Sequence, residues 1–220
     1  MVTKTDFIWM DGRLVPWERA NVHVLSHTLH YGFGIFEGIR SYPQDEGGAA
    51  VFRLPEHCER LIKTARMVGL TLPWNADFIR RAVVHTLEAN RLTDAYIRPL
   101  VYLGPGSMDT TSTRSPIHLS IAAWPWGKYL GAEGVKNGIR CCISTITRLG
   151  GRSHMVKGKI VGHYVNSILA KDEAYRLGFD EALMMDHEGN VVEGSAENLF
   201  IVRDGALITP PLDSDILGGI

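Results

Sequence analysis

KIVGHY at Lys159 to Tyr164, NSILAKDEA at Asn166 to Ala174 and VVEGSAENLF at Val191 to Phe200 form the stretch whose reading decides the fold. From Val165 to Leu177 it reads as a helix stopped by Gly178, because glycine just past a helix adopts the left-handed conformation that other residues resist. Strands follow at Ala182 to Asp186 and Val191 to Glu193, joined by a turn at His187 to Asn190. Helix and strand in one stretch point to a mixed α/β lobe. The same stretch sets an amine, Lys159, a phenol, Tyr164, and a carboxylate, Glu193, in order along what reads as a single lobe.

That trio suits pyridoxal 5'-phosphate, whose aldehyde needs a lysine, whose ring nitrogen needs an anion and whose ring oxygen accepts a hydrogen bond. Each residue also has an ordinary reading. A lysine is commonly a solvated charge, and Lys157 and Lys171 stand close by. Glu193 precedes Gly194, where a carboxylate commonly belongs to a turn, and a tyrosine such as Tyr164 commonly sits at a core edge with its hydroxyl in water.

Working outward, a strand is expected at Ile139 to Ile146, where Cys141 and Cys142 would point to opposite faces, followed by a glycine and arginine loop at Leu149 to Ser153. Further strands are expected at Leu199 to Val202 and Ala206 to Ile208 about Asp204-Gly205. WGKYLGAEGVKNG at Trp126 to Gly138 is glycine-laden and weakly periodic, which reads as a connection between lobes. Towards the start, FIWMDGRLVPW at Phe7 to Trp17 is two apolar runs about Asp11-Gly12, a strong hairpin signal. A helix begins near Pro55, with Leu61, Ala65 and Val68 on one stripe and Gly69 at its stop. Asn75 caps a second helix in which Phe78, Ile79, Ala82, Val83 and Leu87 recur at helical period. Tyr96 to Leu103 and His118 to Trp124 read as sheet strands. The expected division is a small N-terminal α/β domain at 1–127, a connection at 128–138 and a larger C-terminal domain at 139–220.

A chain of 220 residues, 45% hydrophobic and 21% charged, can bury a substantial core. Its formal net charge of −1, with both signs interspersed, gives no footprint for nucleic acid or an anionic membrane. The start, MVTKTDFIWMDG, lacks the charged and apolar regions of a signal peptide, and no run is long enough to span a bilayer. With three cysteines, a reduced cytoplasmic protein is expected. His23, His27 and His30 stand at helical spacing that suits a metal site, but structural histidines are the expectation and no metal is assigned.

Four more blocks sharpen the reading: YGFGIFEGIR at Tyr31 to Arg40, AYIRPL at Ala95 to Leu100, AAWPWGKYLG at Ala122 to Gly131 and TPPLDSDILGGI at Thr209 to Ile220. In this order, and over essentially the whole chain, the sequence resembles the branched-chain amino acid aminotransferases of the class IV aminotransferase family. The resemblance implies a mixed α+β, two-domain, fold-type IV architecture like that of D-amino acid aminotransferase. It also implies transfer of the amino group of leucine, isoleucine or valine to 2-oxoglutarate by a ping-pong mechanism. Pyridoxal 5'-phosphate is the implied cofactor and a homodimer or higher homo-oligomer the implied assembly.

By resemblance, Lys159 bonds to the cofactor aldehyde and then moves the substrate's α proton, while Lys157 is a decoy. Glu193 pairs with the pyridine nitrogen, Tyr164 bonds the ring oxygen and Arg60 reaches the phosphate. Leu217 packs on the ring, and the amides about Gly219 and Ile220 cradle the phosphate. Tyr31, Phe36, Tyr96, Trp126 and Tyr129 form the implied apolar substrate pocket, with Arg40 and Arg98 at its mouth and Arg98 the contact for an acidic side chain. The pattern departs from the family in the loop GPGSMDTTS at Gly104 to Ser112 and at Ala196, where glycine is frequent. Family members continue past the position of Ile220, so a C-terminal part of the second domain is expected to be missing. Rival readings are a D-amino acid or (R)-amine transaminase, an aminodeoxychorismate lyase, or a truncated non-catalytic paralogue.

Overall fold

The structure is a computed structural model that describes residues 2–127 and 131–220, apart from the side chains of Thr113 and Ala132. Among these residues the chain divides into two compact units. The first comprises residues up to 127 together with Lys159–Gly162 and Ile220, and the second 131–158 together with His163–Gly219.

The first unit opens with β1 (Phe7–Met10) and β2 (Arg13–Pro16), paired antiparallel. Asp11 and Gly12 both have positive φ, the conformation that the two-residue turn requires. A short helix α1 (His27–Tyr31) leads to β3 (Ile35–Phe36), β4 (Ile39–Pro43) and β5 (Ala49–Val51). Then come α2 (Leu54–Met67) and α3 (Ala76–Ala89). Pro55 lies in the first turn of α2, and the Asn75 side chain caps α3 by accepting from Phe78 N. Finally β6 (Ala95–Leu103) and β7 (Ile117–Trp124) pair antiparallel along their length. The sheet runs β2-β1-β7-β6-β4-β5, with β3 also on β6.

Period-two alternation divides the sheet between packing and site. Ala95, Ile97 and Val101 of β6 and Leu119, Ile121 and Ala123 of β7 are buried against α2 and α3, where Leu61, Ala65, Ile79 and Val83 complete one core. Tyr96, Arg98 and Trp124 therefore face the other side. Trp9 meets Phe78 of α3 edge-on at 5.8 Å, tying the hairpin to the same core.

The second unit begins with α4 (Gly131–Asn137) and β8 (Cys141–Ile143), followed by α5 (Tyr164–Arg176) and β9 (Glu181–Met185), which lies parallel to β8. Strand β10 (Val191–Gly194) pairs antiparallel with β9, and β11 (Ile201–Arg203) with β12 (Ala206–Ile208) forms a separate hairpin. A parallel pair needs a crossover, and α5 supplies it, burying Ala170 and Ala174 against Ala182 and Met184.

Two local expectations change. The stretch read as connection contains α4, so its glycines do not prevent a helix. The strand expected at Ile139 to Ile146 is only Cys141–Ile143. Past Ile143, the Glu173 carboxylate on α5 accepts from the Ser144 hydroxyl, from Thr145 N at 2.9 Å and from Thr145 Oγ1 at 2.6 Å, drawing the chain out of the pleat. The three cysteines are free thiols, and burial pushes Cys58 up to about 12. No helix among the described residues is long and apolar enough to cross a membrane.

Candidate active site

In the first unit, β3 and β4 keep one continuous register on β6, interrupted only at Glu37-Gly38. Pro99 lies opposite that interruption and has no N–H to offer, although its carbonyl accepts from Glu37 N at 2.9 Å. Alternation then sends Phe36, Gly38 and Arg40 to the face shared with Tyr96 and Arg98, and Glu37 towards α2.

On the first face, the Arg98 guanidinium lies 4.6 Å from the Phe36 ring centre and 5.2 Å from that of Tyr96, and it donates to the Tyr96 hydroxyl at 2.9 Å. Tyr96 contacts Trp126 and Trp124 at 4.6 and 5.1 Å between centroids. Gly38 is required here, because a Cβ at that position would stand 2.2 Å from the Tyr96 hydroxyl. Arg98 Nε is buried and has no hydrogen-bond partner among the described residues.

Lys159 joins this unit. Its carbonyl accepts from Phe36 N at 3.1 Å, Ile160 bridges Ile35, and Gly162 N donates to Gly32 O at 2.9 Å. Gly32 has φ of +65°, and a Cβ there would meet Gly162 Cα at 2.8 Å, so the two segments approach this closely only through glycine. The Lys159 Nζ lies 5.0 Å from the Phe36 ring centre.

Arg60, on α2, forms a two-pronged pair with Glu37, Nε to Oε1 at 2.6 Å and Nη2 to Oε2 at 2.7 Å. His57 Nδ1 is also 2.7 Å from Glu37 Oε2. Burial would raise the Glu37 pKa, but the hydrogen bonds from Arg60 and His57 outweigh it and hold the carboxyl below its ordinary range.

Not every residue expected at the substrate pocket joins this cluster. Arg40 is fastened to Asp94 Oδ1 at 2.8 Å and Gly127 O at 3.0 Å. Tyr31 donates to Met108 O at 2.6 Å in the 104–112 loop. Tyr129 lies outside the described residues. The three histidines hold loop backbone: His27 Nε2 is 3.0 Å from Asp109 O, His30 Nε2 is 2.9 Å from Val24 O, and His23 Nδ1 accepts from Leu25 N.

In the second unit, a concavity is lined by Arg148, His163, Tyr164, Glu193, Asn198 and Leu217, among others. Glu193 is only 5% exposed, and a register shift between Val191 and Glu193 turns it out of the regular pleat. Arg148 Nε stands 2.5 Å from Glu193 Oε1, a nearly buried ion pair. Leu217 N donates to Glu193 Oε2 at 3.2 Å, and Asn198 Nδ2 donates to Leu217 O at 2.9 Å. A Cβ on Gly219 would stand 2.1 Å from Asn198 Oδ1, so that glycine lets Asn198 hold Leu217. Burial, with the positive charge of His154 and Arg148, pushes His163 down to about 4. Tyr164, Glu193, Leu217 and Gly219 thus share one unit, whereas Lys159 and Ile220 group with the other.

The chain matches the class IV amino-transferase family over residues 34–220. The chain belongs to that family. Within it, the chain is 43% identical to the branched-chain-amino-acid aminotransferase of Pseudomonas aeruginosa, across 99% of this chain and 71% of that one. The crystal structure of the Escherichia coli branched-chain amino acid aminotransferase superposes with a TM-score of 0.96 at 41% identity, again across 99% of this chain and 71% of that one. The branched-chain amino acid aminotransferase of Thermobaculum terrenum, in its PLP form, gives 0.89 at 32% identity, across 99% of this chain and 70% of that one. The mixed helix and strand fold of this class IV aminotransferase is therefore that of the branched-chain members.

Sequence reasoning missed Glu37 and His57 beside Arg60, and Arg148, His163 and Asn198 around Glu193. Asn198 lies in the same VVEGSAENLF run as Glu193, and the Glu193–Asn198 bridge was open to a hairpin reading. Arg148 left no signal, since an arginine ahead of a glycine loop usually faces solvent.

Proposed function

We propose that the chain transfers the amino group of leucine, isoleucine or valine to 2-oxoglutarate with pyridoxal 5'-phosphate, by a ping-pong mechanism. The observation that carries this reading is Arg98. Ring faces suit a branched aliphatic side chain, and a guanidinium at their edge with an unpartnered Nε–H suits the side-chain carboxylate of glutamate. One pocket of this composition reconciles the two kinds of substrate that such an exchange must accept.

The residues present fit the cofactor. A buried carboxylate, Glu193, a phenol, Tyr164, and an apolar side chain, Leu217, line one concavity. Bound there, pyridoxal phosphate supplies an aldehyde that bonds to amines and a ring that withdraws electrons from the substrate α carbon.

The Lys159 Nζ carries a proton from the α carbon of the amino donor and returns one to the oxo acid in the reverse half. Glu193 holds a protonated ring nitrogen, and Arg148 favours the ionised carboxylate that this requires. The Tyr164 hydroxyl donates to the ring oxygen, and Leu217 keeps water from the ring face. Arg60 and the backbone around Gly219 and Ile220 take the phosphate. Phe36, Tyr96 and Trp126, with Tyr31, Tyr129 and Arg40, shape the side-chain pocket. We further infer a cytoplasmic homodimer, supported by the free thiols and by the general preference of soluble enzymes for symmetric assembly. Two domains at 1–127 and 139–220 about a connection at 128–138 belong to the same reading.

The test is the visible spectrum of the purified chain with pyridoxal phosphate, before and after L-leucine, D-alanine or an (R)-amine, with Lys159→Ala as control. A Lys159-dependent band discharged by L-leucine is expected. Discharge only by D-alanine or the (R)-amine would reassign the donor, and no band would overturn the reading.

A further inference from the structure

Lys157 precedes Lys159 by two residues, yet its ammonium is engaged with a different part of the chain. Its Nζ donates to Leu212 O at 2.5 Å, Ser214 O at 2.5 Å and Ile216 O at 3.1 Å. Three carbonyls from alternate residues of one loop thus converge on a single cation and use all three of its donors. Left to itself, such an arrangement opens, because the oxygen ends of three backbone dipoles repel one another.

The other restraints on the loop are local turns and contacts of Asp215. Ser214 N closes a turn on Pro211 O, Ile216 N donates to Ser214 O at 2.8 Å, Asp215 Oδ1 accepts from Gly151 N at 2.8 Å, Asp215 Oδ2 lies 3.3 Å from His187 Nδ1, and Ile216 is the buried side chain among residues 212–216. The next residue is Leu217, whose amide donates to Glu193 and whose side chain lines the concavity. On the other side of the lysine, Val156 is buried and lines the same concavity.

We propose that Lys157 is a positioning residue that gathers the 212–216 loop and thereby sets Leu217 against Glu193, so that it governs how tightly the concavity holds the cofactor ring. This rests on the reading of that concavity as the ring's site. The geometry demands an ammonium: its donors diverge tetrahedrally from one point, whereas those of a guanidinium lie in a plane and cannot converge on the same three oxygens.

The experiment uses the whole chain with Lys157→Met, Lys157→Arg and, as a control on an exposed lysine of the same unit, Lys136→Met. Amide hydrogen exchange is measured without cofactor, and pyridoxal phosphate affinity is measured by titration of its absorbance. In Lys157→Met, exchange across 212–217 should accelerate about tenfold or more and cofactor affinity should fall about tenfold to a hundredfold, as for outer residues that orient a binding group. Amides of α5 and β9 should be unaffected, and Lys136→Met should match the unaltered chain. Lys157→Arg should behave like Lys157→Met.

Unchanged exchange in Lys157→Met would overturn the clamp, and full rescue by arginine would overturn its three-point geometry. Accelerated exchange with unchanged affinity would overturn the positioning role. Failure of the unaltered chain to bind pyridoxal phosphate would overturn the functional reading and the affinity claim with it, while the exchange data would still decide the clamp.

Discussion

The two units hold their functional side chains by different means. In the first, Phe36, Tyr96 and Arg98 stand on a sheet whose opposite face is one continuous apolar core running from Trp9 to Leu119. In the second, the buried apolar cluster among the described residues is the small one of Ala170, Ala174, Ala182 and Met184, and the groups around Glu193 are held by charged and polar tethers to loop backbone beside the buried Val156, Val192 and Ile216. A site on a packed sheet inherits its order from burial, which is non-directional and tolerant of small shifts. A site on tethered loops depends on individual donors meeting individual acceptors, and each loss exposes an unmet group.

The sharpest separation of chemistry from scaffold is Lys159→Ala. It should lower the transamination rate about 10³-fold or more while the thermal unfolding of both units stays within about 1 kcal/mol of the unaltered chain. Steady-state kinetics beside calorimetry checks this, and a comparable loss of stability would show that the lysine serves the fold first.

The packing half of the comparison is broken by Ile79→Ala, which empties a fully buried position of the first unit and should cost about 4 kcal/mol. Met184→Ala in the second unit removes an equally buried but more adaptable side chain among alanines, and about 2 kcal/mol is expected. Denaturant titration followed by tryptophan fluorescence, with far-ultraviolet dichroism for the second unit, distinguishes them. Equal losses would undo the contrast.

Glu37→Gln tests the polar exception inside the packed unit. It leaves the Arg60 guanidinium without its buried carboxylate and should cost about 3 kcal/mol. The Glu37 carboxyl is held below its ordinary value of 4.5, so the native state binds that proton less readily than the unfolded chain. Its stabilisation is complete above the unfolded value and is lost as pH falls through the folded one. Acid unfolding of the unaltered chain should therefore be steeper below that range than that of Glu37→Gln.

The smallest effect is expected at His163, which lies in the tethered unit and is pushed from 6.5 down to about 4. The unfolded chain takes up a proton there that the folded chain refuses. Stability should thus be level above 6.5, decline as pH falls between 6.5 and about 4, and level again below. His163→Asn should remove part of that decline in melting temperatures measured across the interval, and an unaltered profile would place the titrating group elsewhere.

Elements with strong local signals were legible residue by residue. Asp11-Gly12 marked the hairpin, Asn75 the start of α3, Gly178 the end of α5 and Asp204-Gly205 the turn before β12, each through its own backbone chemistry. The strand β8 was overestimated because most residues of Ile139 to Ile146 are β-branched or apolar, while the group that ends it, Glu173, lies 28 residues away from Thr145. At the site, the residue types were legible but their pairings were not. Arg60 read as a phosphate anchor from its type and place on a helix, whereas its pairing with Glu37, 23 residues earlier on the face of the β3–β4 register turned towards α2, left no local signal.

From residue order alone came the helices and strands with clear periods, the family resemblance and the kinds of groups available for catalysis. These follow from interactions within a few residues, where backbone preference and side-chain period act directly. The tertiary structure alone assigned Lys159–Gly162 to the first unit beside β3 and divided them from Tyr164 and Glu193. It also gave two lysines two residues apart different surroundings, Lys157 among three carbonyls more than fifty positions away and Lys159 over the Phe36 ring. The reason is that a charged group's role depends on which opposite charge or dipole comes within about 3 Å, a distance set by how remote segments pack.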